Sequence, residues 1–465
     1  MKAIGESIIR NVIHPLWLRR DHPHCARYWR QFEQTQYLEP SALESLQRQR
    51  LRRLLAHAYD QCSFYRRRMD TAGLLPKDLG SLKQLSLLPV LTKRDIQDHA
   101  TELIARDFPA DKRVRNQTGG STGSPLQFYV DKERFDSRNA STLRHNAWAG
   151  LRPGAWVANL WGARLDQHLK SGWWDWCRNH LLYRTVELNT SQIRQEDWDH
   201  FVGELRNNRP RFLITYAQSA VLFARYLRER AICDIKFQSI ITTAEVLLPG
   251  QRELLEETFQ GQVFNRYGCR EVSVIASECE RQQGMHVNAE ALLVEIVPDA
   301  TIPPPAGRIV VTDLLNFSMP LIRYEIGDVG SLVPGGCSCG RGLPLLADVQ
   351  GRITDFLVLA DGRHISGPAL TLVVADMAEV RQVQFVQKSP EFIVLRVVPG
   401  RNYGSDTVQE LRRRLDYYLD HSATVAIEEA NHIASEISGK YRFVINEFQR
   451  DPEGTTLNVA EGRGV

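Results

Sequence analysis

Thr118-Gly119-Gly120-Ser121-Thr122-Gly123-Ser124-Pro125 is the stretch whose reading decides the fold. Three glycines let the backbone turn with φ > 0 and approach a ligand closely. Successive peptide N–H groups in such a turn form an anion-binding concavity, and the Ser and Thr hydroxyls add donors. It is not a Walker A loop, because no Gly-Lys-Ser/Thr closes it. Taken alone, the stretch fits a plain flexible turn equally well.

Its surroundings narrow the choice. A basic strand-like stretch at 113–115 runs into the loop, and alternating Leu126, Phe128 and Val130 predict a strand after it. From about 135 to 300, helical patterns alternate with short apolar runs at 156–160, 212–215, 239–242 and 263–267. That alternation predicts an α/β core. Upstream, about 27–105 reads as helix, turn and helix, with Leu46, Leu51, Leu54, Leu55 and Ala58 at helical spacing. Downstream the texture shifts to strands at 292–297, 308–311 and 324–329, then a turn-rich stretch at 334–344. The last hundred or so residues predict strands at 356–359, 383–387 and 392–398 and a helix at about 405–421. The expected architecture is a large multi-layer α/β body with a β-rich subdomain, 1–351, and a small mobile α+β domain, 352–465. No repeat or low-complexity tract interrupts it, and the polar end at 451–465 is expected to fray.

Composition excludes several classes. The 465 residues carry 58 basic and 55 acidic side chains, a net charge of +3, with 43% hydrophobic and 24% charged residues. That is ordinary globular composition, and a balance so near neutral gives no footprint for nucleic acid. Arg48, Arg50, Arg52, Arg53, Arg66, Arg67 and Arg68 sit at helical spacing and read as solvated helix faces. No apolar run approaches the roughly 20 residues that span a bilayer. Polar Glu6, Ser7, Arg10, Asn11 and His14 break up the first twenty residues, so no signal peptide is expected there. The expected location is the cytoplasm, without a membrane or nucleic-acid partner.

Four further motifs follow the loop in order. They are Tyr267-Gly268-Cys269-Arg270-Glu271, Arg323-Tyr324-Glu325-Ile326-Gly327-Asp328, Gly351-Arg352-Ile353-Thr354-Asp355 and Ser438-Gly439-Lys440-Tyr441-Arg442. The series resembles the adenylate-forming superfamily of acyl-CoA synthetases, peptide-synthetase adenylation domains and luciferases. More narrowly it resembles the phenylacetate–CoA ligase and CapK-like branch, from about residue 54 through Leu88-Pro89-Val90-Leu91-Thr92-Lys93 to Lys440.

The resemblance implies a reaction and its residues. The family activates a carboxylate with ATP, releasing pyrophosphate, and passes the acyl group to a second nucleophile, usually CoA. Thr118, Gly119, Gly120, Ser121, Thr122 and Gly123 would hold the β- and γ-phosphates. Thr243, Ala244 and Glu245 would border the adenine, and Tyr267 and Gly268 would lie beside it. Glu271 would hold Mg²⁺, a hard ion suited to a carboxylate oxygen. Asp328 would accept from the ribose hydroxyls, with Arg352 nearby. Tyr216, Ala217 and Ser219 match the wall of the acyl pocket. Lys440 would be the catalytic cation between carboxylate and α-phosphate, on a small domain that rotates after adenylation. Thr354 replaces an acidic residue of the usual hinge pattern, and Ser124 stands where many relatives carry lysine. The acceptor is CoA, an amine or a carrier-protein thiol; a scaffold that binds nucleotide without catalysis is the competing reading from another class. The branch also suggests an aromatic acid and a homodimer.

Of eight cysteines, three combine with a histidine. Cys279-x6-His286 and Cys337-x-Cys339, the latter pair in a glycine-rich turn, make a set appropriate to structural zinc. The other reading is unrelated buried or surface cysteines. Similar cysteines occur in the CapK-like branch. Cys269 reads as packing. Trp161, Trp173, Trp174 and Trp176 flank an insertion and read as core or contact residues before substrate-facing ones.

Overall fold

A computed structural model describes the chain except for residues 1, 80–81, 118–125, 162–172, 191–194, 249, 301, 348, 350, 353–355, 361–363, 367–369, 371–372, 375–376, 378, 434–441, 451–455 and 459–465. The predicted alternation folds into one nine-stranded mixed sheet. Its parallel strands, in spatial order from the edge inward, are β4 (Thr185–Asn189), β3 (Val157–Trp161), β5 (Phe212–Tyr216), β6 (Ser239–Thr243) and β7 (Gln262–Cys269). Antiparallel β8 (Ser273–Glu278) and β9 (Met285–Val287) extend it, followed by the short β14 (Leu345–Leu346) and β13 (Leu332–Val333).

Helices Gln195–Asn208, Ala217–Glu229 and Gln251–Phe259 bury Phe201, Phe223 and Phe259 with Leu213, Ile240 and Val263. Phe212, Ile241 and Phe264 alternate to the other face, where they meet Ala149 and Leu151 just after the helix Lys132–Trp148. This period-two division is what buried strands of a doubly covered sheet require.

A second sheet pairs β10 (Leu292–Val297), β11 (Gly307–Asp313), β12 (Tyr324–Gly330) and β15 (Gly351–Arg352) in antiparallel order. Its core is shared with helices Cys25–Thr35, Pro40–Gln61 and Ser63–Thr71, and with the hairpin β1 (Arg113–Gln117) and β2 (Gln127–Asp131). The segment around Leu91 runs beside β12: the Leu91 N–H donates to the Arg323 carbonyl and the Glu325 N–H to the Leu91 carbonyl. Thr92 then caps the next helix with Asp95 in a reciprocal box.

Of the seven clustered arginines expected on solvated faces, five lie there; Arg50 and Arg68 instead reach inward to the carbonyls of Glu290 and Val90. Arg48, Arg52, Arg53, Arg66 and Arg67 are exposed, while Arg50 and Arg68 are partly covered. Residues 2–21 are helical through a five-residue π turn, burying Ile9 and Leu18 and exposing Ile8, Val12 and Leu16. The C-terminal part has its own core of Leu357, Phe385, Leu395, Leu411, Leu415 and Val444. There β18 (Val380–Ser389), β19 (Phe392–Pro399), β20 (Thr424–Glu429) and β21 (Val444–Asn446) form a sheet with the helix Ser405–Leu419. The architecture is thus the expected mixed α/β body with a separate α+β unit. Among the described residues no helix is long and apolar enough to cross a membrane.

Candidate active site and metal centre

In an open α/β sheet, ligands lie beyond the carboxyl ends of the parallel strands. Here those ends are Tyr216, Thr243 and Arg266-Tyr267, in register across β5, β6 and β7. Just beyond β6, Ala244 sits at φ 67°, a left-handed conformation that costs a residue with a Cβ. The Glu245 carboxylate accepts a 2.8 Å bond from the Gln218 N–H, tying this turn to the start of the helix Ala217–Glu229. Tyr216, Ala217 and Ser219 are buried there, and the Trp161 ring lies 4.5 Å from that of Tyr216. Trp173 is exposed.

Two tyrosine–carboxylate bonds join the two sheets at this edge. The Tyr267 hydroxyl donates to Asp328 at 2.6 Å, and the Tyr324 hydroxyl donates to Glu271 at 2.9 Å. Burial, reinforced by the neighbouring carboxylates, pushes both phenols well above their ordinary range, so they remain donors. Asp328 stands directly opposite Arg352 across β12 and β15. At Gly268 an added Cβ would meet the Ser273 carbonyl oxygen at 2.5 Å, which reserves the position for glycine. The fold therefore gathers Thr243, Ala244, Glu245, Tyr267, Gly268, Glu271, Asp328 and Arg352 at one edge. Thr118–Gly123, Ser124, Thr354 and Lys440 lie outside the described residues.

The backbone that carries Glu271 is gripped from behind. Arg138 donates to the carbonyls of Arg270 and Glu271, and Arg134 donates to that of Val272 at 3.2 Å. Asp313 balances both guanidiniums, at 2.8 Å from Arg134 and 3.8 Å from Arg138. These arginines and Tyr324 were not picked out as site residues in the sequence. The arginines lie on a helix more than 130 positions from Glu271, and no short-range pattern links them.

A second constellation lies at the far end of the same sheet. Cys279 follows β8, His286 is in β9, and Cys337 and Cys339 occupy the turn between β13 and β14. The four donor atoms lie within 4.8 Å of one another. The Cys279 and Cys337 sulfurs are 3.6 Å apart, and the Cys339 sulfur is 3.3 Å from His286 Nε2. All three thiols are free; a disulfide needs about 2.05 Å. A tetrahedron with metal–sulfur bonds of about 2.3 Å has edges of about 3.8 Å, so the set fits a four-coordinate metal. Burial pushes His286 down to about 4, which leaves a neutral ring as a ligand requires. At Cys339, burial acts upward, but the Arg341 N–H and guanidinium outweigh it and lower the thiol. The turn docks on the N-terminal helices: Gly342 donates to the Gln36 carbonyl at 2.9 Å, and a Cβ there would meet the Leu38 oxygen at 1.9 Å.

Residues 357–447 match the CapK C-terminal domain. Over 331 residues the chain is 29% identical to the phenylacetate–coenzyme A ligase of Thermus thermophilus, covering 68% of this chain and 72% of that protein. Over 426 residues it is 22% identical to Protein CapK of Staphylococcus aureus, covering 88% and 91%. The chain is thus similar to the phenylacetate–CoA ligase and CapK-like branch of the adenylate-forming superfamily. Its fold is that of 2-hydroxyisobutyryl-CoA ligase, solved in the postadenylation state with 2-HIB-AMP: TM-score 0.71 at 22% identity, over 88% of this chain and 89% of that one. Against the same ligase with 2-HIB-AMP and CoA in the thioesterification state the score is 0.58 at 23% identity, over 87% and 90%.

Proposed function

We propose that this protein is a ligase that activates a carboxylic acid with ATP as an acyl-adenylate, releases pyrophosphate and transfers the acyl group to CoA. The observation that carries the reading is the junction of the two sheets. The family's magnesium and ribose carboxylates, Glu271 and Asp328, are each held by a tyrosine hydroxyl there, at the carboxyl ends of the parallel strands. Similarity to phenylacetate–CoA ligases supports CoA as the acceptor and an aromatic acid as the substrate.

In this reading the chemistry is mostly placement of charge. The loop 118–123 would present backbone donors to the departing phosphates. Asp328 would fix the ribose, with Arg352 beside it in the sheet. Tyr324 holds one oxygen of Glu271 while Arg134 and Arg138 hold the backbone, so the carboxylate is oriented before substrate arrives. Glu271 would hold Mg²⁺, which when bound offsets phosphate charge. Lys440 would lie between the acid's carboxylate and the α-phosphate, carried by the unit 352–465, which would turn to admit the acceptor. Cys279, His286, Cys337 and Cys339 would hold a structural Zn²⁺; three sulfurs and an imidazole suit that ion and leave no position open for substrate.

The test is pyrophosphate release over a panel of carboxylic acids, followed by CoA, amines or a carrier protein added to the enzyme-held adenylate. CoA should discharge it to a thioester. Discharge by an amine or carrier with none by CoA would reassign the second half-reaction. Pyrophosphate release with no acid, or with none of them, would remove the proposal.

A further inference from the structure

Among the described residues of the body five arginines are buried, and four have a carboxylate. Arg134 and Arg138 share Asp313, Arg144 has Glu290 at 2.5 Å, and Arg323 has Glu295 at 3.1 Å. Arg266 is only 8% exposed, yet among the described residues no carboxylate reaches it. It donates to the side-chain oxygen of Asn146 at 2.7 Å, and its Nε has no partner. Burial pushes its guanidinium down to about 10. A buried charge is ordinarily paired, so the structure leaves an anion to be supplied.

The sheet register shows where. Arg266 stands directly beside Thr243 of β6, which stands beside Tyr216 of β5, whose ring meets Trp161. These side chains share one face and one row at the carboxyl ends of the strands. Tyr267, which meets the ribose carboxylate, alternates to the opposite face. On the other flank Ser277 is Arg266's partner across β7 and β8, and its buried hydroxyl is also unpartnered. His145, next to Asn146 in the covering helix, is 1% exposed with neither ring nitrogen bonded. Arg266 Nε, the Ser277 hydroxyl and the His145 ring are thus buried polar groups without partners near the end of the row that carries Tyr216, the wall expected for the acyl group.

We propose that the acid activated here is a dicarboxylic acid: one carboxylate is adenylated, and the other pairs with Arg266, with the Ser277 hydroxyl beside it. The proposal rests on the acid-activating reading above and names its substrate class.

The experiment compares matched mono- and dicarboxylic acids on the same aromatic and aliphatic skeletons, in ATP–pyrophosphate exchange and in calorimetric binding. Wild type should favour a diacid over its monoacid by about 30-fold or more in kcat/KM. Arg266→Met should abolish that preference, and Arg266→Lys should retain part of it. Arg266→Met should melt no lower than wild type, because it removes a buried charge without a countercharge. Monoacids used as well as diacids, or a diacid preference unmoved in Arg266→Met, would overturn the proposal while leaving acid activation intact. A lowered melting temperature with unchanged selectivity would assign Arg266 to structure and overturn it too. Arg266-dependent diacid binding with no exchange on any acid would instead sink the adenylation reading, and with it the activation of a diacid, and would leave only Arg266 as a carboxylate-binding group.

Discussion

Single side chains at this site work through the groups that hold them. The Tyr267–Asp328 bond fixes the carboxylate proposed to hold the ribose, so Asp328→Asn should raise the KM for ATP by about tenfold or more. Tyr267→Phe should have a smaller effect in the same direction. A KM for ATP unchanged in Asp328→Asn, measured by exchange kinetics, would remove the ribose assignment. Buried imidazoles set a pH response. Burial, with His22 as the second cause, pushes His14 down to about 4. The unfolded chain takes up that proton near pH 6.5. Below 6.5 the unfolded state therefore holds more protons, and stability falls as pH falls. The loss is about 1.4 kcal/mol per pH unit for this group, and His145 is shifted in the same direction. Melting temperatures at pH 7 and pH 5 should show the loss, and His14→Phe should shrink it; an equal loss in that variant would discard the assignment. Glu271, Asp328 and Tyr267 were legible because a motif names them. Arg138, Tyr324 and Arg266 were not, since their meaning depends on neighbours dozens to over a hundred positions away.

Secondary elements were legible where burial imposes a pattern. β5 and β6 show as apolar runs because both of their faces are covered. β9, β13, β14 and β15 are two or three residues long, too short for any period to appear. β20, Thr424–Glu429, has no fully buried position, and so no alternation to read. Yet three of these unannounced strands set the cysteine site, because β14 pairs with β9 and β13 and thereby brings the 337–339 turn to His286. Zinc there would clamp the end of the sheet to the turn that docks on Gln36 and Leu38. The purified protein should contain about one zinc per chain. Cys337→Ser should lose it and melt several degrees lower, and a chelator should do the same to wild type. Full folding stability with no metal and free thiols would exclude the role.

At the scale of the molecule, sequence texture separated an α/β body from an α+β end because the two bury their strands differently. The sheet and core of the C-terminal part, and its match to the CapK C-terminal domain over 357–447, agree with that division. We propose that the boundary falls at 351–352 and that the smaller unit rotates about it. In the proposed reaction the two units cooperate to adenylate an acid, the body supplying Glu271 and Asp328 and the smaller unit Lys440. Acid-dependent ATP–pyrophosphate exchange, measured for wild type and Lys440→Ala with folding checked by circular dichroism, tests that claim most directly. Wild type should exchange with at least one acid of the panel, and Lys440→Ala should fall by about a hundredfold or more with its fold intact. Near-normal exchange in Lys440→Ala, or none in wild type with any acid, would contradict it.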